Sequence, residues 1–413
     1  MRALLEESFR AAVTAADPLQ ILARHLPPTP RGRTFVAAAG KAAASMALAA
    51  EKHFRGELGG IAITRYHHGL PTKKIRVVEA GHPVPDEAGE AAAREILKRT
   101  TELKSEDLLL ALLSGGGSSL LSLPAPDIPM DELKAVTRQL LKSGAAIQEM
   151  NTVRKHLSAI HGGRLAAASR APVLALIISD VTGDDPTHIA SGPCAPDPTT
   201  YGEALEILRR YGVSLPPSVE ARLERGTDET PKPGDPVFSR VENRVIATAH
   251  RSLEAAAEVF RRNSIAPVIL GDTVTGEASE VAKVFSSLVR EIQRYGTPFK
   301  PPVALISGGE CTVTIRGEGG RGGRCSEFLL SLGIETGGVW AIAADTDGID
   351  GSEDNAGAVL TPDSLQRALK KQLNPKSLLA RNDSYGFFSA LGDLLTTGPT
   401  RTNVNDYRAI LVL

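Results

Sequence analysis

Apolar runs that alternate with helical patterns are the feature that most constrains how this 413-residue chain folds. The segments TFVAAAG (34–40), DLLLALLS (107–114) and PVLALIIS (172–179) are apolar almost throughout, and amphipathic patterns such as 86–100 lie between such runs. Strands without polar alternation are typical of parallel sheets that helices cover on both faces. The sequence therefore predicts a doubly wound α/β protein, whose ligands bind beyond the carboxyl ends of its strands.

A polar segment rich in proline, glycine and charge, ERGTDETPKPGDP (224–236), is typical of a linker. The chain is also long for one hydrophobic core, since its length favours roughly two or three domains. We predict a Rossmann-like N-terminal domain over 1–235 and a C-terminal α/β domain over 236–413. Each is expected to contain a mainly parallel sheet flanked by helices.

The balance of charge excludes several classes of partner. Lysine and arginine total 47 against 48 acidic residues, so no basic excess indicates binding to nucleic acid or to a membrane surface. The first 26 residues read as an amphipathic helix, because Glu6, Glu7 and Asp17 lie where a signal peptide would be apolar. We predict a cytoplasmic protein that acts on small molecules, and the sequence does not predict its oligomeric state.

Two glycine-containing turns follow predicted strands. In LLSGGGSSL the turn consists of Ser114, Gly115, Gly116, Gly117, Ser118 and Ser119. Glycine permits close approach to the backbone, and free N–H groups at a helix start favour an anion, so the turn is either a ligand site or simply a tight turn. In the other turn, Lys41 follows Gly40 at a predicted helix start, where a cation opposes the helix dipole. Lys41 is therefore either the partner of a bound anion or a solvated lysine.

Two acidic loops also follow predicted strands. SDVTGDDPTHIASGP (179–193) contains Asp180 and two further aspartates, and ADTDGIDGSEDNAGA (344–358) contains four aspartates, including Asp347. Clustered carboxylates repel one another unless a cation such as magnesium neutralises them, and the second loop also suits a general base. The alternative for each is an acidic surface turn.

The segment SGGECTVTIRGEGGRGGRCSEF (307–328) places Glu310 in a turn and then Arg321 and Arg324 in a loop that opens a helix. A guanidinium group binds phosphate oxygens bidentately, so this loop is a candidate phosphate site. It also contains a G-x-G-x-x-G pattern that could indicate a dinucleotide, although arginine and glutamate are unusual within such a loop. The glycines of that pattern are Gly317, Gly319 and Gly322.

Two further segments are more ambiguous. NTVRKHLSAIHGG (151–163) places Arg154, Lys155 and His156 on one helix, which predicts a solvated face unless the helix borders a ligand site. In TTGPTRTNVNDY (396–407), Asn405 either orients a substrate hydroxyl or caps a turn. The sequence contains no Walker-type phosphate loop, no G-x-S-x-G elbow and no H-E-x-x-H motif.

Eight motifs in order resemble the class II glycerate kinases, which join an N-terminal glycerate-kinase domain to a C-terminal MOFRL domain. This resemblance implies ATP-dependent phosphorylation of D-glycerate to 2-phosphoglycerate, with Mg²⁺ or another divalent cation, in a cleft between the domains. Some members have been labelled hydroxypyruvate reductases, so NAD(P)H-dependent reduction is the alternative. The motifs are GK, AGHPVPDE, LLSGGGSSL, NTVRKHLSAIHGGRLA, SDVTGDDPTHIASGP, LISGGE, TDGIDG and TGPTRTNVND.

The resemblance also implies roles for individual residues. Asp347 is expected to accept the proton of the glycerate hydroxyl. Lys41 and Arg324 are expected to neutralise the transferring phosphoryl group and the substrate carboxylate, in an unassigned order. Asp180 and Glu310 would hold magnesium directly or through water. The turn from Ser114 to Ser119, together with Arg154 and Asn405, is expected to contact substrate or nucleotide.

One departure from the family pattern follows Arg324. Relatives typically read GGRNQE, whereas this chain has Cys325 and Ser326 in place of the Asn-Gln pair. If the usual pair contacts a ligand, nucleotide affinity or substrate choice differs here. If it only caps the helix, Ser326 can partly replace it.

Overall fold

A computed structural model describes residues 1–315 and 320–413 of the chain. It divides into two compact units: a first unit, Pro18–Ile246, and a second unit that combines Met1–Asp17 with Ala247–Leu413. Gly317 and Gly319 of the G-x-G-x-x-G pattern lie outside the described residues.

The strands of the described residues number fourteen, several of them very short. In chain order they are β1 (Thr34–Ala39), β2 (Leu58–Arg65), β3 (Ile75–Ala80), β4 (Leu108–Leu113), β5 (Val173–Ile178), β6 (Val241–Ala247), β7 (Ala266–Gly271), β8 (Gly276–Glu277), β9 (Val303–Ser307), β10 (Cys311–Thr312), β11 (Trp340–Asp345), β12 (Gly357–Leu360), β13 (Leu394–Leu395) and β14 (Asp406–Val412).

The α-helices of the described residues number sixteen. They are α1 (Arg2–Ala15), α2 (Pro18–Ile21), α3 (Ala43–His53), α4 (Glu87–Thr101), α5 (Gly117–Leu120), α6 (Met130–Ser143), α7 (Ile147–His156), α8 (Arg164–Ala168), α9 (Tyr201–Arg210), α10 (Pro217–Arg225), α11 (Ala249–Arg262), α12 (Ala278–Tyr295), α13 (Arg324–Thr336), α14 (Ser364–Lys370), α15 (Pro375–Ala380) and α16 (Ser384–Leu391).

The sheet of the first unit has the strand order β3-β2-β1-β4-β5-β6. The pairs β1–β2, β1–β4, β2–β3 and β4–β5 are all parallel. Every residue of β4 and β5 is buried, as expected where helices cover both faces of a sheet. This is the strand order of a Rossmann-like fold, and the α/β prediction for the N-terminal part of the chain is confirmed.

The sheet of the second unit, β13-β12-β11-β14-β9-β7, is mixed. Among its described strands, β7 and β9 pair in parallel, whereas β14 is antiparallel to both β9 and β11, and β12 is antiparallel to β11. The expectation of a mainly parallel second sheet is therefore corrected. An apolar run indicates burial on both faces, but it does not encode the direction of the neighbouring strand.

The N-terminal helix belongs to the second unit, whereas the predicted boundary had grouped it with the N-terminal domain. Leu5, Phe9 and Ala12 are buried against α11, and the hydroxyl of Tyr407 donates to Ser8. Burial of a leucine or phenylalanine side chain contributes about 1.5–3 kcal/mol, so the apolar face of α1 stabilises the packing of this helix against α11. Within the described part of the chain, no helix is both long and apolar enough to cross a membrane.

Candidate functional site

In the first unit, two predicted site segments meet where the strand order reverses. The chain leaves β1 at Gly40 and Lys41, and it leaves β4 at Ser114. Because β1 and β4 are parallel neighbours with Ala39 opposite Leu113, these two loops lie side by side. The Lys41 amide donates to the Gly115 carbonyl at 2.8 Å. Ligands of doubly wound sheets bind at such a reversal point.

The glycines at this point allow the two loops to approach each other. Gly116 has φ = +79°, and a Cβ there would lie 3.0 Å from the His82 ring and 3.4 Å from Lys41 Cγ. A Cβ on Gly40 would lie 2.2 Å from Ser114 Oγ, which accepts the Ala42 amide at 3.0 Å. Close packing therefore accounts for these glycines, and anion binding by the turn stays a prediction.

Beside this turn lies a cavity of about 210 Å³, called here the Arg154 pocket. It brings together five of the predicted site residues, namely Gly116, Ser118, Ser119, Arg154 and Asp180, the last of which follows β5. Its polar lining consists of His82, Gly116, Ser118, Ser119, Asn151, Arg154, Asp180 and His188, with Leu141 and Ile147 among its apolar residues.

Arg154 lies on α7, and Nη1 donates to Asn151 Oδ1 at 3.2 Å. Asn151 is itself fixed by its Nδ2, which donates to the His188 carbonyl, and by the Ser191 hydroxyl. Across the described ranges, Arg154 forms no ion pair with a carboxylate. Burial lowers the pKa of its guanidinium, which is a sign that the charge is poorly compensated.

The two residues after Arg154 are buried, so the predicted solvated helix face is wrong. Lys155 is 0% exposed and pairs with Asp197 at 3.1 Å. His156 Nε2 lies 3.2 Å from Glu229, and burial lowers the pKa of the imidazole. The charge of Lys155 is thus compensated by Asp197, a carboxylate 42 residues away in the sequence. Arg154 has no such partner among the described residues and lines the pocket.

In the second unit, Arg324 is the first residue of α13 and is held by three carboxylates. Its Nε donates to Asp406 and its Nη2 to Asp345, both at 2.8 Å, and Glu310 lies 3.4 Å from Nη1. Burial alone would lower the pKa of Arg324, but these carboxylates raise it well above its ordinary value. The predicted residues Arg324 and Glu310 are therefore direct neighbours.

Asp347 lies beside this cluster and is 2% exposed. Its amide donates to Asp345 Oδ1 at 3.0 Å, and its own Oδ1 accepts the Ile349 amide at 2.8 Å. The Asn405 carbonyl accepts the amide of Thr346, the residue before Asp347. The loop after β11 and the turn before β14 thus bring Asp347, Asn405 and Arg324 into one cluster.

Sequence reasoning missed Asp406 and Arg408, which complete this cluster. Asp406 joins Arg324 to Arg408, whose Nη2 donates to Asp406 Oδ2 at 2.6 Å and whose Nη1 donates to the Gly308 carbonyl at 2.8 Å. Both residues are at most 1% exposed. The available signal was two charged residues within an otherwise apolar terminal strand, DYRAILV.

Ser326 caps the helix that carries Arg324. The Gly323 amide lies 3.2 Å from Ser326 Oγ, which also bonds to Asp350 at 2.7 Å. Asp350 accepts the amides of Cys325 and Ser326 as well, so this carboxylate of the acidic loop fixes the start of α13. The second interpretation of the sequence departure, that Ser326 serves as a capping residue, agrees with these contacts.

The two predicted magnesium ligands lie in different units, Asp180 in the first and Glu310 in the second. In the described ranges, no group of three or more His, Cys, Asp or Glu side chains is arranged to hold a metal ion. Magnesium that accompanies a nucleotide is commonly held by one or two carboxylates together with phosphate oxygens and water. The oxygen chemistry of Asp180 and Glu310 fits that kind of ion.

Two family models and a solved structure of a glycerate kinase match this chain. A family model described as a domain of unknown function (DUF4147) matches residues 4–224, and the MOFRL family matches residues 303–406. The crystal structure of a glycerate kinase from Thermotoga maritima is similar, with a TM-score of 0.87 and 37% identity over 100% of this chain and 99% of that one.

Similar sequences place the chain within a family. It is 42% identical to a glycerate 2-kinase of Pyrococcus horikoshii over 91% of this chain and 86% of the relative. It is also 49% identical to an Agrobacterium vitis protein provisionally named a hydroxypyruvate reductase, over 100% of this chain and 94% of that protein. The chain belongs to the glycerate kinase family, in which DUF4147 and MOFRL domains are combined.

Proposed function

We propose that this protein is a glycerate 2-kinase, which transfers the γ-phosphoryl group of ATP to D-glycerate and yields 2-phosphoglycerate and ADP. The observation that carries the proposal is its relationship to glycerate kinases over nearly its whole length. Two clusters with suitable chemistry support it: Lys41 beside the glycine turn, and Arg324 with Asp347.

In this reaction the 2-hydroxyl oxygen of glycerate forms a bond to the γ-phosphorus, while the bond from that phosphorus to the bridging oxygen of ADP breaks. Asp347 accepts the hydroxyl proton. Lys41 and Arg324 stabilise the negative charge that spreads over the phosphoryl oxygens, because phosphoryl transfer depends mainly on positioning and electrostatic stabilisation. Asn405 and the turn from Ser114 to Ser119 position the substrates.

A divalent cation, magnesium for example, would be held by Asp180 and Glu310 and would neutralise charge on the nucleotide phosphates. Glu310 is 56% exposed, which leaves it accessible to solvent and ligand even though it contacts Arg324. The three carboxylates around Arg324 also orient its guanidinium, so that its planar face and remaining N–H groups keep one direction.

Incubation with D-glycerate and Mg-ATP, with identification of the product by NMR, tests the proposal. We expect 2-phosphoglycerate and an equimolar amount of ADP. The same protein should not oxidise NADH or NADPH in the presence of hydroxypyruvate. Oxidation of NADH without phosphorylation of glycerate would instead favour the reductase activity, for which the name of the Agrobacterium vitis relative is the supporting observation.

The variant Asp347→Asn tests the proposed base. Loss of a positioned base lowers turnover by about 10²–10⁴-fold, so we expect kcat to fall in this range while ATP affinity is retained. Asp354→Asn is the matched control, because Asp354 lies in the same acidic loop but is exposed and contacts the Tyr385 hydroxyl. Near-normal turnover in Asp347→Asn would refute the proposed role.

A further inference from the structure

The Arg154 pocket contains several buried polar groups whose bonding is incomplete. Arg154 has a single hydrogen bond, to Asn151, and forms no ion pair across the described ranges. A smaller cavity that adjoins the pocket shares Pro83, Ser118, Ser119 and Arg154 with it and is also lined by His161. His161 is 2% exposed, and within the described ranges its Nε2 has no hydrogen-bond partner.

His188 adds a third such group, because its buried Nδ1 also lacks a hydrogen-bond partner within the described residues. Buried polar atoms are nearly always hydrogen-bonded, and an exception requires an explanation such as a ligand or water. Arg154 and the His188 imidazole line the pocket, and the His161 imidazole lines the smaller cavity that shares Arg154 with it. These groups are chemically matched to an anion that also carries hydroxyl groups.

The size of the cavity limits the ligand. Its volume of about 210 Å³ lies below the roughly 300–1,000 Å³ of pockets that enclose drug-sized ligands. A three-carbon acid fits this volume better than a nucleoside triphosphate does. The hydroxyls of Ser118 and Ser119 lie at the wall and keep part of their hydrogen-bonding capacity for hydroxyl groups of the ligand. Ser118 Oγ accepts from Ser191 at 2.8 Å and can still donate, whereas Ser119 Oγ donates to the Gly116 carbonyl at 3.2 Å and can still accept.

We infer that the Arg154 pocket binds the phosphoryl acceptor, and that Arg154 pairs with its carboxylate and so selects hydroxy acids over neutral polyols. The inference rests on the proposed function in that it takes the acceptor to be a small hydroxy acid. A carboxylate matches the planar, bidentate donor geometry of a guanidinium group. The carboxylate of the ligand also gives Arg154 a negatively charged partner, as Asp197 does for the neighbouring Lys155.

Isothermal titration of D-glycerate without nucleotide tests this assignment separately from catalysis. We expect the wild-type protein to bind D-glycerate, and Arg154→Met to raise Kd about a hundredfold, since removing one partner of a buried charge pair has an effect of this order. Arg154→Lys keeps the charge but loses the planar fork, so we expect an intermediate loss. Arg164→Met is the matched control, because Arg164 is also largely buried in this unit but pairs with Asp228.

Steady-state kinetics supply the specificity test. With Arg154→Met, KM for D-glycerate should rise about a hundredfold, while KM for ATP should stay within about threefold. The preference for D-glycerate over glycerol should fall by a similar factor, because glycerol lacks the carboxylate. A rise in KM for ATP alone would assign the pocket to nucleotide phosphate and overturn the inference.

The two proposals fail in distinguishable ways. Arg154-dependent binding of D-glycerate without phosphorylation would support this inference and refute the proposed kinase activity. Phosphorylation with unchanged acid affinity in both Arg154 variants would support the kinase and overturn the inference. Absence of any Arg154-dependent binding of the acid would also overturn it.

Discussion

Two arginines in predicted ligand-binding segments have opposite environments. In the second unit, Arg324 contacts Asp345, Asp406 and Glu310, and these carboxylates raise its pKa. In the first unit, Arg154 has an asparagine as its hydrogen-bond partner and no ion pair within the described residues, and burial lowers its pKa. Both belong to motifs that indicate anion chemistry, yet the folded chain compensates the charge of only one of them.

This difference indicates two different roles for the arginines, one in positioning charge at the reacting groups and the other in recognising a ligand. An arginine held by fixed carboxylates keeps one orientation, so little reorganisation is needed when charge develops at a reacting group. A partly buried arginine without a carboxylate gains most from an anionic ligand, because the ligand relieves an uncompensated desolvation cost. We therefore expect changes around Arg324 to affect turnover, and changes around Arg154 to affect substrate affinity.

The largest effect is expected from Asp406→Asn, which removes the charge between Arg324 and Arg408. Arg324 loses its fixed orientation, and a small misplacement near the reacting groups lowers rate by about 10²-fold. Breaking a buried ion pair also destabilises a protein by about 3–5 kcal/mol, and retention of the amide should place the loss at the lower end. Turnover and urea unfolding measure the two effects.

The matched control is Asp393→Asn, since Asp393 is also buried in the second unit and also lies between two arginines, Arg2 and Arg367. We expect this variant to be destabilised but to keep its kcat. Equal loss of kcat in both variants, measured where each is fully folded, would show that the loss at Asp406 does not depend on its contact with Arg324.

An intermediate effect is expected when the pH is lowered, because His161 beside Arg154 makes the free energy of unfolding sensitive to acid. Burial, followed by the charges of Arg154 and Lys155, lowers the pKa of His161 to about 3. Between the ordinary imidazole pKa of about 6.5 and this value, the unfolded chain binds a proton that the folded protein does not. The free energy of unfolding therefore falls as pH decreases through this range, by about 2 kcal/mol at pH 5 from this group.

The variant His161→Asn removes the titrating group. The loss of stability between pH 7.5 and pH 5, measured by urea unfolding, should become smaller by about 2 kcal/mol. The same substitution at exposed His53 is the control. An unchanged loss in His161→Asn would mean that His161 is not held neutral beside Arg154.

The parallel sheet of the first unit was predictable because its buried strands read as continuous apolar runs, as in LLLALL of β4. The mixed second sheet was not, since β11 and most of β14 also read as apolar runs while their pairing is antiparallel. Strand direction depends on the connections between strands, and the short strands β12 and β13 gave no clear pattern.

Within the candidate site, motifs identified residues but not their partners. Arg324 and Asp347 were found from local sequence, whereas the contact of Arg324 with Asp406 joins positions 82 residues apart. Lys155 was expected on a solvated helix face, because the Asp197 carboxylate that permits its burial lies 42 residues away. Long-range pairing of charges therefore decides which charged residues remain available to ligands, and local sequence does not encode it.

The smallest effect is expected from Ser326→Ala, which tests how the start of α13 fixes Arg324. The substitution removes the hydroxyl that bonds to Gly323 and to buried Asp350. Loss of a capping side chain costs about 0.5–2 kcal/mol, and Asp350 still accepts the amides of Cys325 and Ser326. We expect a fall of about 1 kcal/mol in the free energy of unfolding and a decrease in kcat of less than tenfold, with KM for D-glycerate unchanged. A change in KM for D-glycerate instead would mean that the Arg324 cluster takes part in recognising the acid, and the division between the two arginines would have to be abandoned.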